Sequence, residues 1–234
     1  YLEKSDVVIE NQQFFYEIVR DTFCGYNFIF LESTLLPFFR NNPKFVDDNI
    51  YDIIDITLNE KSCFFFKEFL KHPKIDINYN YKDTNHTLLS KAVLSENSKA
   101  VEILLNYPNI NINAESYQKR SAFQCACAYI VEMKVIKLFC NHPGFDVNFK
   151  DPVDHETAFE MTPQSGFYKA TEYICDNFPN LIVDDFLLLF SHALINHNLL
   201  SLKVLLKYYF SKNKNKQKDE LIKDVKDYLC EDPG

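Results

Sequence analysis

The stretch TLLSKAVLSENSKAVEILLNYPNININ (residues 87–113) decides how this chain folds, because its parts recur downstream at an almost fixed interval. Leu88, Leu89, Ala92 and Val93 place one apolar face at helical spacing, and Ala100, Val101, Leu104 and Leu105 place a second. Two short helices are expected. Thr87 suits the N-cap of the first, and Asn97 or Ser98 that of the second. Pro108 has no amide hydrogen with which to continue a helix, so the second should end near Tyr107.

The tail of this unit gives the interval. KHPKIDIN (71–78), NYPNININ (106–113) and NHPGFDVN (141–148) align, with Asn78, Asn113 and Asn148 each 35 residues apart, and Pro179 follows Pro143 by 36. These residues resemble the ankyrin repeat, whose pattern runs T-P-L-H-x-A, a helix turn, h-V-x-h-L-L and then G-A-D-x-N. Val101, Glu102, Ile103, Leu104 and Leu105 fit the second helix, and Gly144, Phe145, Asp146, Val147 and Asn148 fit the exit with one proline added before it. The first-helix motif survives as Thr87-Leu88-Leu89-Ser90-Lys91-Ala92, Ser121-Ala122-Phe123-Gln124-Cys125-Ala126 and Thr157-Ala158-Phe159-Glu160, its Pro and His lost throughout.

The resemblance covers roughly residues 61–210. It implies an all-α fold: an ankyrin-repeat solenoid of stacked helix-turn-helix units with short β-hairpin fingers at residues 79–86, 114–120 and 149–156, and helical end caps. With only 4 glycines in the chain, left-handed helix exits are expected at Asn109, Asn180 and Lys74, asparagine being the residue that tolerates that conformation best after glycine. The expected core is Leu89, Ala92, Val101, Leu104 and Leu105, with Phe123, Ala126, Val135 and Leu138 as counterparts one repeat on.

Upstream, residues 11–24 and 27–40 show helical recurrence interrupted at Pro37, Asn41-Asn42-Pro43 looks like a further helix exit, and 52–58 with 62–70 form the next pair. Residues 1–60 therefore read as an N-terminal helical cap or degenerate repeat, shielding one end of the array in residues 61–210. After Pro179 only five residues precede the apolar run FLLLFSHAL, so that repeat should lack a finger, with its second helix at 199–210. Residues 211–234 read as a Lys-rich linker, SKNKNKQK, followed by a C-terminal helix at 219–229.

Composition narrows the function classes. A chain of 234 residues that is 47% hydrophobic can bury a core. No apolar run reaches the length of a membrane span, and the start at Tyr1, without a secretory leader, suggests a fragment or trimmed chain. Seven cysteines, an odd count without framework spacing, point to a reducing intracellular, cytoplasmic compartment. A net charge of -8 argues against nucleic acid as a partner, because phosphate binding needs a basic footprint.

Chemistry is sparse. No phosphate-binding glycine loop, HExxH or nucleophile elbow is present. Cys125, Cys127, Cys140 and His142 hint at a metal site, but cysteines at i and i+2 on a helix point to different sides, and buried thiols commonly serve as small apolar residues. His72 and His142 precede prolines at equivalent repeat positions, where Tyr107 and Phe178 stand in other repeats, which marks a structural position. His155 beside Glu156 has no nucleophile to activate. No catalytic residue, cofactor or metal is expected.

The resemblance implies a non-catalytic protein–protein interaction module or scaffold that binds another protein through finger tips and the concave helix surface. Asn80, Tyr81, Glu115, Tyr117, Gln118, Lys150 and His155 fall at or near the positions that vary and touch partners in that family. Tyr81 and Tyr117 are the expected anchors, because tyrosine offers a large contact area with a polar tip. Two other readings remain open: the targeting or regulatory array of a larger enzyme, and a structural subunit of a large assembly.

Overall fold

The computed structural model describes residues 36–58 and 63–231. The helix expected at 11–24 and most of that expected at 27–40 lie outside these residues, and so does the side chain of Tyr117. The fold is all-α. Twelve α-helices are present among the described residues: α1 (Leu36–Asn41), α2 (Pro43–Thr57), α3 (Phe64–Phe69), α4 (Leu88–Leu94), α5 (Ser98–Leu105), α6 (Ala122–Ala128), α7 (Met133–Cys140), α8 (Ala158–Ser165), α9 (Tyr168–Asn177), α10 (Phe186–Ile195), α11 (Leu199–Lys212) and α12 (Lys218–Glu231).

The helices pack in sequence order. α4 and α5, α6 and α7, α8 and α9, and α10 and α11 form antiparallel-type pairs joined by short turns, while α4, α6, α8, α10 and α12 contact one another in succession. The second helices do the same along α5, α7, α9 and α11. Between these two rows lies the core, where Leu88, Ala92, Val93, Val101, Leu104, Ile136, Phe139, Phe159, Ala170, Ile174 and Leu205 have essentially no exposed surface. Leu89, Ala126 and Val135 are buried as expected, whereas Leu138 is only partly buried, and Ile136 and Phe139 fill the interior of α7 instead.

Each first helix opens on a side-chain cap that satisfies backbone amides with no partner inside the helix. The Ser90 N–H donates to Thr87 Oγ1 at 3.1 Å, Gln124 N–H to Ser121 Oγ at 3.3 Å and Glu160 N–H to Thr157 Oγ1 at 3.3 Å. In α6 and α8 the residue at the third helical position also reaches back to the cap's own amide, completing capping boxes. Asp185 does the same work for α10, accepting from the amides of Leu187 and Leu188.

The far ends of these first helices close by a different device. The amides of Asn97, Val131, Phe167 and Asn198 donate five residues back, to the carbonyls of Ala92, Ala126, Thr162 and Ala193, at 3.3, 3.3, 2.9 and 2.8 Å. That is the wide bond of a Schellman turn, and it requires a left-handed residue just before it. Those residues are Glu96, Ile130, Gly166 and His197, with φ of 56°, 54°, 81° and 58°. The expected left-handed exits are corrected accordingly: of Asn109, Asn180 and Lys74 only Asn109 has positive φ. The exits of the second helices instead continue through backbone bonds three residues back, such as His72 to Phe69, Tyr107 to Leu104 and His142 to Phe139.

Upstream expectations also shift. Asn41-Asn42-Pro43 is the exit of α1, as expected, and also the start of α2, which Pro43 opens at its first turn, where its missing amide costs nothing. α2 runs through a break at Asn49 (φ −125°), making it longer than the segment 52–58.

Ile130 is the least comfortable of the left-handed residues, because a β-branched side chain crowds the backbone there, costing on the order of 1–2 kcal/mol. It is 52% exposed, so little burial opposes the strain. Ile130→Gly should therefore raise stability by roughly 1 kcal/mol in urea denaturation. The reverse substitution at the matching turn, Gly166→Ala, should destabilise, since the added Cβ would lie 2.6 Å from Asn198 Oδ1 at positive φ.

Candidate interaction surface

The segments between helix pairs project three loops with one shared plan. Asn85, Lys119 and His155 each have positive φ two residues before the N-caps Thr87, Ser121 and Thr157, turning the chain into the helix that follows. Hairpin content differs from loop to loop. The first loop pairs β1 (Asn80–Tyr81) with β2 (His86–Thr87), the third keeps a single bridge between Lys150 and Thr157, and the second forms a 3-10 turn at Tyr117–Lys119 in place of the expected hairpin.

The D/N-x-N exit motif has two separable jobs. Its first residue folds the local turn: Asp76, Asn111 and Asp146 accept, through Oδ1, the amides of Asn78, Asn113 and Asn148 at 2.9, 3.1 and 3.0 Å. Its last residue reaches the next repeat. Asn78 donates to the Asn109 carbonyl at 2.9 Å and accepts from the Asn111 amide at 2.8 Å; Asn148 donates to the Asn180 carbonyl at 3.0 Å and accepts from the Ile182 amide at 2.9 Å. His72 and His142 belong to the same turns, their Nδ1 atoms accepting from the amides of Lys74 and Gly144.

The seven expected contact residues separate by environment. Tyr81 is turned inward. Its hydroxyl donates to the Tyr51 carbonyl at 3.0 Å, its ring meets Tyr79 and Tyr51 edge-on, and Lys91 Nζ sits 3.9 Å from the ring centre. Lys91 is in turn held by Asp55 at 2.7 Å. Burial pushes the Tyr81 phenol far above its usual pKa. Tyr81 is thus a packing residue of the first loop, correcting its reading as an anchor. Asn80 donates to Asn85 Oδ1 at 3.2 Å, and Lys150 pairs with Asp184 across to the next repeat. Glu115 pairs with Lys119 at 3.0 Å, and Gln118 and His155 are exposed at left-handed tips.

Two residues that sequence reasoning passed over shape the loops. Ser116, fully buried, hydrogen-bonds Ser90 Oγ at 2.6 Å and His86 Nδ1 at 3.2 Å, tying the second loop to the first. Asp151 is buried at the root of the third loop, where its carboxylate accepts from the amides of Asp154 (2.7 Å), Val153 (2.9 Å) and Glu156 (3.1 Å). Burial alone would raise its pKa, but these amides outweigh it and hold the carboxyl below its usual value. Val153, at the tip this network shapes, is 58% exposed.

On the turns joining paired helices and at the helix ends beside them, Leu94, Tyr129, Ile130, Ile195, Leu199 and Leu200 are exposed large apolar residues. The Cys125 and Cys127 thiols are buried, which pushes Cys125 up to about 11, and no group of three or more metal-ligating side chains converges among the described residues. No described helix is long and apolar enough to cross a membrane. A scan against protein-family models finds no match for the chain, and a search of curated proteins finds none either.

Asp151→Asn should destabilise by on the order of 1–3 kcal/mol at neutral pH, because a buried charge-assisted network loses an acceptor. Since the folded-state pKa is depressed, that stabilisation is full above the unfolded value near 3.9 and is lost as pH falls through the folded one. Denaturation curves of the two proteins should therefore converge below about pH 4. Tyr81→Ala should lower the melting temperature by several degrees, reporting packing.

Proposed function

We propose that this chain is an ankyrin-type solenoid that acts as a non-catalytic protein–protein interaction module, with the finger tips as its contact edge. The observation that carries this reading is the exit clamp: Asn78 and Asn148 make the same pair of backbone bonds to the following repeat, 70 residues apart, in a turn whose spacing resembles that of the ankyrin repeat. Side chains spent on joining neighbouring units favour a rigid extended scaffold over a catalytic cleft. The loops that the scaffold holds present Gln118, Val153 and His155 outward, while Tyr81, Ser116 and Asp151 secure them from beneath.

The six described cysteines are free thiols, which accords with an intracellular, cytoplasmic setting. The row of exposed apolar residues at the helix turns favours a second reading, a structural subunit that buries this edge against neighbours in an assembly.

The two readings separate by substitution. The triple change Gln118→Ala, Val153→Ala and His155→Ala should leave the melting temperature nearly unchanged and abolish capture of a protein partner identified with the unaltered chain. If capture persists, and is lost instead when Leu94, Tyr129 and Leu199 are made polar, the contact edge is the turn side and the fingers are structural.

A further inference from the structure

Arg120 stands at the base of the second loop, immediately before the N-cap Ser121. The corresponding residues in the neighbouring repeats are His86 and Glu156, and both are engaged. His86 Nδ1 lies 3.2 Å from Ser116 Oγ and 3.3 Å from Ser90 Oγ, and Glu156 Oε1 accepts from Gln164 Nε2 at 3.3 Å. Arg120 differs. Its backbone carbonyl accepts from the Ser116 amide at 2.9 Å, but among the described residues its guanidinium makes no ion pair, and its Nε is shut off from solvent with no hydrogen-bond partner.

The acid of its own loop is already committed, since Glu115 holds Lys119 at 3.0 Å. A half-buried guanidinium with an orphan N–H is costly, because its hydration is lost and nothing replaces it. The planar fork of arginine is shaped to take a carboxylate through two parallel bonds, and its two terminal Nη groups, unlike Nε, are not shut off from solvent and can receive one.

We propose that Arg120 is the recognition point for a side-chain carboxylate on a bound peptide segment of the partner. This inference rests on the interaction-module reading above, and assigns the chemistry of one contact within it. Gln124, one turn into α6, is not free to compete, because its Nε2 donates to the Glu156 carbonyl at 2.7 Å and its Oε1 accepts from the Ser121 amide at 2.8 Å.

The test selects short peptides against the full 234-residue chain from two matched libraries, one with a fixed central Glu and one with Gln in its place. The expected result is enrichment from the Glu library only, with affinity by fluorescence anisotropy falling at least about tenfold in Arg120→Ala and nearly as far in Arg120→Lys, which lacks the fork. Arg120→Leu, measured without peptide, should keep or raise the melting temperature, because it removes an unpaired polar group. Peptides that bind equally well to Arg120→Ala overturn the inference while leaving the module reading standing. Full rescue by lysine, or a fall of several degrees in Arg120→Leu, also overturns it, by showing a general charge effect or a structural role. Failure of the chain to enrich any peptide overturns both.

Discussion

Short helices are mostly ends, and closing those ends is the constraint on which the rest of this structure depends. α4 and α6 have seven residues each and α5, α7 and α8 have eight. An α-helix leaves four amides and four carbonyls without partners, so helices of this length hold more unpaired groups than internal bonds. None would persist alone in water, where nucleation outweighs so short a propagation. Packing between the two rows supplies the apolar contribution, but it cannot stand unless the ends are satisfied where they are buried.

The chain solves this by making neighbours close each other. Asn97 donates to the Leu58 carbonyl at the end of α2, Ser165 to the Cys127 carbonyl in the last turn of α6, and Asn198 to the Pro163 and Gln164 carbonyls of α8. The same dependence appears at the second-helix exits through Asn78 and Asn148, and through Tyr107, whose hydroxyl donates to the Leu70 carbonyl just past α3. Each repeat is therefore completed by the one after it. Cooperativity follows from that, because loss of one unit leaves orphan carbonyls in the unit before it as well as an uncovered apolar face.

What could be read from the sequence was what repeats with an unmistakable chemical signature. Thr87, Ser121 and Thr157 announce N-caps by residue type and by the apolar run behind them, and the 35-residue exit motif announces a joint. The left-handed turns were not legible, because glycine usually marks them and here Glu96, Ile130 and His197 stand in for it; only Gly166 keeps the expected residue. The loops were legible as loops but not in their details. Tyr81 reads as a solvent-facing aromatic until Tyr51, which comes from α2 30 residues earlier, is in place and stacked on Tyr79. Asp151 offers no pattern at all, since its partners are backbone amides.

The two edges of the array therefore differ in kind. At the finger edge, polar side chains are largely consumed in holding loops: Ser116, Asp151, Asn80 and Asn85 bond within or between fingers, and exposed groups are left at the tips. At the turn edge, Schellman bonds together with the side chains of Asn97, Ser165 and Asn198 settle the backbone, and the side chains of Leu94, Tyr129 and Leu199 take no part in that closure. A loop rigidified from below loses little entropy on binding, which favours specific contact at the tips. An apolar side chain on a backbone that closes itself can instead be changed with little consequence for the fold. The bonded polar groups at the loop roots are thus costly for the chain to vary, while the exposed tips and the apolar side chains at the turns are not.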